Sequence, residues 1–345
     1  MHQTVANKPR LAAFGELLMR LNSPPGKRLL RTDSLELSFG GAEANVCVLL
    51  SRLGMPAGFI TRLPDNDMAR AAIDQLRSNG VDTSAVMYGG DKMGLYFTEQ
   101  GHMLRPGKVI YDRQHSAFAS LSPGMIPWNE IFARVDWFHW SGISPALSQT
   151  AAAVCWEALL AAKEKGVTVS ADFNHRSTLW KYGRHPSELM PELLSYCDVL
   201  VADPDAVRTY LGIHSDHELP EEERFRTCVE AMQQKLPGMK TLAMSFRGTG
   251  VPGQPTYKAA LFYKQACYFT TSHTLPIVID RIGSGDAFTA GLIYALCHEH
   301  HPQSIIDFAL ACGILKHSIQ GDFALLSKEE VTDYLQHGPT GRIIR

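Results

Sequence analysis

The sequence has no long run of one charge sign and no long apolar run. Its 33 basic and 35 acidic residues give a formal net charge of −2 and are scattered along the chain. A surface for nucleic acid is therefore not expected. No apolar stretch reaches about 18 residues, and the N-terminus lacks the pattern of a secretion signal. We expect neither a membrane span nor export.

Cysteine pairs are also missing. The seven cysteines are odd in number and widely separated, with no CxxC pair among them. They are typical of reduced core thiols, so we expect a cytoplasmic protein. The run "HEHH" at 298–301 does not have the spacing HExxH of a zinc site, and it is interpreted as the polar end of a helix.

The chain does contain short apolar runs separated by longer amphipathic stretches, within 345 residues of which 45% are hydrophobic. This alternation predicts an α/β domain over 10–336, with a doubly wound, mostly parallel sheet flanked by helices. Segments 17–38 and 86–118 break the rhythm and carry β-like alternation without a helix. They predict a small antiparallel sheet that projects as a lid or a dimer surface.

The stretch "DRIGSGDAFTAG" at 280–291 places glycines around a carboxylate and then continues into an apolar helix. The backbone NH groups of Gly283, Ser284 and Gly285 can point in one direction, and with the helix dipole they form an anion hole. Asp286 would then lie beside a bound phosphoryl group and could accept a proton from an attacking hydroxyl. The alternative is that Asp286 only caps the helix.

Other nucleotide motifs are absent or out of context. No GxxxxGK[ST] occurs, which excludes a P-loop. The run "GTGVPG" at 248–253 has the glycine spacing of a dinucleotide fingerprint, but a hairpin-like sequence follows it where a helix is required. A nicotinamide-dependent oxidoreductase would depend on this run alone.

Two motifs at opposite ends identify a family. With "FGGAEANVCVLLSRLG" (39–54) and "DRIGSGDAFTAG", the chain resembles the ribokinase-like (PfkB) carbohydrate kinases over roughly 10–330. Through "GLYF" (94–97), "VIYDR" (109–113) and "ADFNHRSTLW" (171–180), it is similar to the 2-keto-3-deoxygluconate kinases of that family. The resemblance implies a sheet with a β lid, and ATP-dependent phosphorylation of a sugar acid with Mg²⁺.

The resemblance also implies residue roles. Asp286 would be the base beside the 283–285 anion hole. The residues expected to contact the sugar are Gly40, Gly41, Asn45, Tyr96, Tyr111, Arg113 and Arg176. A carboxylate entering a closed site needs a cationic partner, and a guanidinium can form paired hydrogen bonds with it. Each of these residues also has a purely structural interpretation. The two glycines could form a tight turn, the two tyrosines could belong to the core of the lid, and the two arginines could lie at the surface.

The chain departs from the family at the expected metal and nucleotide positions. Asp203 and Ala206 stand where many relatives have Asn and the Glu associated with magnesium, so the metal ligand is unknown; Asp203 or Asp205 is a candidate to hold a metal-bound water. Candidates for nucleotide contacts are Arg247, Gly248 and Gly250. The need for a monovalent cation near Asp280 stays open, and the family suggests a homodimer through the lid.

Two other functions stay open on the same fold. One is a kinase of a neutral sugar, of the ribokinase or fructokinase type. The other is a non-catalytic sugar-acid sensor, which is suggested by the missing Glu and by Arg281, where relatives often have Thr, Val or Pro.

Overall fold

A large twisted sheet forms the centre of the computed structural model, which describes residues 10–101, 105–216, 218–249, 254–275, 277–299 and 301–339. The strands are β1 Leu11–Phe14, β2 Leu18–Asn22, β3 Glu36–Gly40, β4 Ala57–Leu63, β5 Val86–Tyr88, β6 Gly94–Glu99, β7 Lys108–Asp112, β8 Trp137–Ser141, β9 Thr168–Asp172, β10 Val199–Ala202, β11 Thr241–Thr249, β12 Pro255–Tyr263, β13 Ala266–Phe269 and β14 His273–Thr274. The helices are α1 Ala42–Arg52, α2 Asp67–Ser78, α3 Trp128–Phe132, α4 Gln149–Lys165, α5 Pro186–Leu194, α6 Pro204–Leu211, α7 Glu221–Lys235, α8 Ser284–His298, α9 Pro302–Lys316 and α10 Lys328–His337.

The strand order of the large sheet is β13-β12-β11-β10-β9-β8-β1-β4-β5, with β14 paired to β12. Strands from β11 to β5 run parallel, and β12, β13 and β14 are antiparallel additions. The chain leaves β1 toward β4 on one side and later toward β8 on the other. At such a switch point a crevice opens beyond the carboxyl ends of the strands. The predicted doubly wound sheet is confirmed.

Both faces of the sheet are buried. Leu11 and Ala13 of β1 pack into one apolar core, and Ala12 and Phe14 pack into the other. This follows from the two-residue period of a strand and from helices on each side. The first core is completed by α1, α2, α8 and α9, and the second by α3 to α7.

A second sheet has the order β3-β2-β6-β7. The β2–β3 and β6–β7 pairs are antiparallel, but β2 and β6 are parallel. The prediction of a purely antiparallel lid was therefore wrong in this detail. The two central strands come from separate segments joined through α1, β4 and α2, so no hairpin forces them to run in opposite directions.

Two residues of the "GTGVPG" run, Gly248 and Thr249, are described, and both belong to strand β11. Strand β11 ends at Thr249, residues 250–253 are outside the described residues, and the chain returns as β12 antiparallel to β11. Because a helix does not follow β11, the run lacks the context of a dinucleotide site.

All seven cysteines are free, five of them buried, and the cytoplasmic location stays a prediction. No helix in the described part of the chain is long and apolar enough to cross a membrane. The same residues include no group of three or more His, Cys, Asp or Glu side chains arranged to hold a metal ion. Of the "HEHH" run, residue 300 lies outside the described set.

Candidate active site

A cleft of about 790 Å³ opens between the small sheet and the carboxyl ends of the large sheet. Its wall combines residues from distant parts of the chain. Of the residues predicted from sequence, it contains Gly40, Gly41, Asn45, Tyr96, Tyr111, Arg113, Arg176, Arg247, Gly283, Gly285 and Asp286.

Asp286 lies in the first turn of α8 and faces this cleft. Asn45 Nδ2 donates a hydrogen bond of 2.6 Å to Asp286 Oδ2. The N-cap of α8 is Gly283, which has no side-chain cap bond. The Asp286 carboxylate is bonded to Asn45 of α1 and does not cap its own helix. Burial raises the pKa of Asp286 to about 6, and the Asn45 hydrogen bond and the Arg176 charge oppose that rise. At neutral pH the group is a carboxylate able to accept a proton.

The glycine turn before Asp286 is tightly constrained. Gly283 has φ +83, and a Cβ atom there would lie 2.1 Å from the Asp322 carbonyl oxygen. The Ser284 amide donates to the Arg281 carbonyl at 3.3 Å, so this predicted anion-hole donor is already used within the turn. Among the described residues, the Gly283 and Gly285 amides have no protein acceptor. They are the donors of this turn that are available to an anion.

Arg247 is fixed beside the turn. Its Nη2 donates to Ser284 Oγ at 2.6 Å, and its guanidinium lies 5.7 Å from the centre of the Tyr257 ring. Arg281 also lines the cleft. Of the other two nucleotide candidates, Gly248 is exposed and is not part of the cleft wall, and Gly250 lies outside the described residues.

Gly40 and Gly41 stand where backbone and side chains approach closely. A Cβ atom at Gly40 would lie 2.2 Å from Asp322 Oδ2, and one at Gly41 would lie 2.2 Å from the Glu16 carbonyl oxygen. Packing alone therefore requires small residues here, and the same packing leaves both glycines open to the cleft.

Arg113 is only 6% exposed and is already paired. Its Nε donates to Glu16 Oε2 at 2.8 Å, and Ser116 Oγ also bonds the Glu16 carboxylate. The Tyr96 hydroxyl donates to the Asp322 carboxylate. The sequence did not predict that Glu16 balances the Arg113 charge. The burial of Arg113 excludes the alternative that it is a surface arginine.

Arg176 differs from Arg113. It follows β9, and its Nη1 donates to the His175 carbonyl at 3.1 Å. Within the described part of the chain no carboxylate oxygen lies within 4.0 Å of its guanidinium. Its charge lowers the pKa of both Asp172 and Asp286. The sugar side of the cleft thus contains a guanidinium that forms no direct ion pair with a carboxylate of the described residues, although its charge acts on Asp172 and Asp286 at longer range.

Sequence reasoning missed five acidic residues of the cleft wall. Burial, and next the Asp286 charge, raise the pKa of Asp172 to about 8. Burial raises the pKa of Glu43 to about 7, although Ser141 donates a hydrogen bond to it. The other three are Glu16, Glu221 and Asp322. Asp172 ends a core strand and Glu43 interrupts an apolar helix, so both had a local signal; Glu16 and Asp322 had none.

The candidate metal residues are partly occupied. Asp203 Oδ1 accepts a hydrogen bond of 2.9 Å from the Ala206 amide and caps α6. Asp205 forms a 2.9 Å ion pair with Arg208 at the surface. Both line the cleft, so each is placed to meet a cation that also contacts phosphate oxygens.

A carboxylate beside free helix amides and arginines, at the switch point of a doubly wound sheet, is the arrangement of a phosphoryl-transfer site. The sequence pattern of the pfkB family carbohydrate kinases matches residues 8–322. The chain belongs to this family and is an enzyme that phosphorylates a sugar.

Individual relatives agree. The 2-dehydro-3-deoxygalactonokinase of Haloferax volcanii is 32% identical, over 96% of this chain and 98% of that protein. The 2-dehydro-3-deoxygluconokinase of Thermoproteus tenax is 29% identical, over 94% of each chain. The crystal structure of 2-dehydro-3-deoxygluconokinase from Thermotoga maritima superposes with a TM-score of 0.90 at 35% identity, covering 95% of this chain and 99% of that one.

The substitution Gly283→Ala should lower the free energy of unfolding by about 1–3 kcal/mol, because a Cβ atom meets the Asp322 carbonyl at a left-handed residue. Urea denaturation measures the loss. Gly285→Ala is the matched control, since a Cβ atom there has no neighbour within 4 Å. Equal denaturation midpoints for the two variants would contradict the constraint.

Proposed function

We propose that the enzyme transfers the γ-phosphoryl group of ATP to a hydroxyl of 2-keto-3-deoxygluconate or a similar sugar acid. The observation that carries this proposal is Arg176, a cleft guanidinium without a carboxylate partner. Arg176 is partly buried at the cleft wall, and the carboxylate of an acid substrate would pair with its guanidinium through two hydrogen bonds. The names of the kinase relatives from Haloferax volcanii, Thermoproteus tenax and Thermotoga maritima support the same substrate class.

Asp286 is the proposed base. Its carboxylate takes the proton of the substrate hydroxyl as that oxygen bonds to the γ-phosphorus, and the bond from phosphorus to the ADP oxygen breaks. The Gly283 and Gly285 amides and the Arg247 guanidinium stabilise the charge on the moving group. Asn45, bonded to Asp286 at 2.6 Å, keeps the carboxylate turned into the cleft.

The other sugar contacts are proposed from their places in the wall. Gly40 and Gly41 leave their backbones open to substrate hydroxyls. Tyr96 and Tyr111, whose ring centres are 5.9 Å apart, form the lid side of the site, and the Arg113 guanidinium lies 5.5 Å from the centre of the Tyr111 ring.

Mg²⁺ would neutralise charge on the phosphate oxygens when bound. The free amides of the glycine turn and the nearby Arg247 and Arg281 fit a polyphosphate. Asp203, with one oxygen used to cap α6, and Asp205 are placed to hold a water of the hydrated ion. We propose no direct protein ligand.

A sugar panel separates the acid from the neutral substrates. We expect ATP-dependent phosphorylation of 2-keto-3-deoxy sugar acids and little of fructose or ribose. Arg176→Met should raise KM for the acid roughly tenfold to a hundredfold, because a hydrogen bond to a charged group contributes about 1.5–3 kcal/mol. Arg184→Met, an exposed arginine outside the cleft wall, is the control. If the enzyme phosphorylates a neutral sugar in preference to the sugar acids, the proposed substrate class is wrong. Binding of a sugar acid without ATP turnover would favour the non-catalytic sensor.

The substitution Asp286→Asn should lower kcat by about 10² to 10⁴ because it removes the proton acceptor. The melting temperature should not fall, because burial disfavours the charged carboxylate and asparagine replaces it with a neutral amide of the same shape. Asp74→Asn changes an exposed carboxylate on α2 and should alter neither quantity. Near-normal turnover in the Asp286 variant would remove it from the mechanism.

We also propose a homodimer through the outer face of the small sheet. The strand register places Leu37, Leu21, Phe97 and Ile110 in one row across the sheet, and the outer two are 48% and 42% exposed. Side chains in such a row share a face, so the apolar strip is continuous. Ile110→Lys should weaken association in sedimentation equilibrium, and Leu160→Lys, at an exposed position on α4, should not. A monomeric wild type would disprove the proposal.

A further inference from the structure

Lys316, the last residue of α9, is fully buried, with 0% exposure. It is the only buried lysine among the described residues. Its Nζ donates to the Ile319 carbonyl at 2.9 Å. Burial lowers its pKa, and the charges of Asp280 and Asp322 act in the opposite direction. A buried ammonium is costly unless its charge is compensated. Lys316 forms no direct ion pair with a carboxylate of the described residues, so Asp280 and Asp322 act on it at longer range.

The same two carboxylates support the glycine turn from behind. Asp280 Oδ1 accepts from the Ile282 amide at 3.0 Å, and its Oδ2 accepts from the Gly321 amide at 3.1 Å. Asp322 follows Gly321, and its carbonyl packs against Gly283. Lys316 lies on the same side, with its Cε 3.3 Å from the Cβ position at Gly283.

Arg20 is the second cation of this cluster. Its Nη1 lies 2.8 Å from Asp280 Oδ2 and 2.9 Å from Asp322 Oδ1, and the side chain is 1% exposed. Two carboxylates and two cations give the cluster no net charge. Without Lys316 it would have a net charge of −1 directly behind amides that must attract an anion.

We propose that Lys316 is a positioning residue that balances the Asp280 and Asp322 charges, so that the glycine turn presents an unopposed positive potential to the transferred phosphoryl group. The inference depends on the proposed phosphoryl transfer. The Lys316 ammonium would also take the place of a monovalent cation near Asp280. Both Asp280 carboxylate oxygens already have partners from Arg20, Ile282 and Gly321, and Lys316 supplies the remaining positive charge.

The first test is Lys316→Met, which keeps the length of the side chain and removes its charge. We expect kcat to fall at least tenfold, with KM for the sugar changed less than about twofold, because the charge acts on the moving group. Exchange of Na⁺ for K⁺ should not change the wild-type rate. Lys165→Met, at an exposed site on α4, is the control.

The pH profile gives a readout that a purely structural role would not change. The groups near Lys316 are Arg20, Asp280, Asp286, His317 and Asp322. Asp286 must be deprotonated to act, so wild-type kcat should fall as the pH drops through about 6. Because the Lys316 charge lowers the pKa of Asp286, its removal should move this acid limb to higher pH.

A double variant separates charge from shape. Lys316→Met with Asp322→Asn restores a neutral cluster, so kcat should recover most of the loss caused by Lys316→Met alone. It also keeps the proposal testable if Lys316→Met alone is unstable in thermal unfolding, because the neutral double variant should then regain both stability and kcat. No recovery in the double variant, or an unchanged kcat and acid limb in the single one, would overturn the proposal.

Calorimetric binding of a non-hydrolysable ATP analogue, which retains a γ-phosphate, gives the same comparison without turnover. Affinity should fall in Lys316→Met and return in the double variant, and equal affinities in all three proteins would overturn the proposal. If binding of the analogue follows the expected order but the wild type phosphorylates no sugar acid, the proposed substrate is wrong and the charge balance stands.

Discussion

The site depends on balancing the charges of two buried carboxylates behind the glycine turn that we propose as the anion site. Asp280 and Asp322 fix the ends of the glycine turn, and Arg20 bridges them from the small sheet. An uncompensated buried charge destabilises a protein by several kcal/mol. The turn, the small sheet and the end of α9 must therefore assemble together. Through Arg20, strand β2 of the small sheet contacts the carboxylates beside the glycine turn.

The environment of each cleft carboxyl decides what it can do. Burial raises the pKa of Asp172 to about 8 and of Glu43 to about 7, whereas the Asn45 hydrogen bond helps keep Asp286 at about 6. At neutral pH Asp172 is mainly protonated and Asp286 mainly ionised. Unequal surroundings thus give chemically similar side chains different protonation states at the same pH.

Local motifs made much of the site predictable. Gly283, Gly285 and Asp286 lie within four consecutive residues, and their geometry follows from glycine dihedrals and a helix start. Long-range pairs were not predictable in this way. Glu16 neutralises Arg113 across 97 positions, and Arg20 meets Asp322 across 302. Nothing in the neighbouring residues of either pair indicates its partner.

The alternation of strands and helices, the glycine turn and the place of Asp286 in the first turn of a helix could be predicted from local sequence, because periodicity and backbone preferences act over a few residues. The fold was needed to show that β2 and β6 run parallel, that Arg113 forms an ion pair and Arg176 does not, and that Lys316 is buried. The strength of a charge interaction depends on burial and on the distance to its partner. Both quantities arise only when residues far apart in the chain pack together.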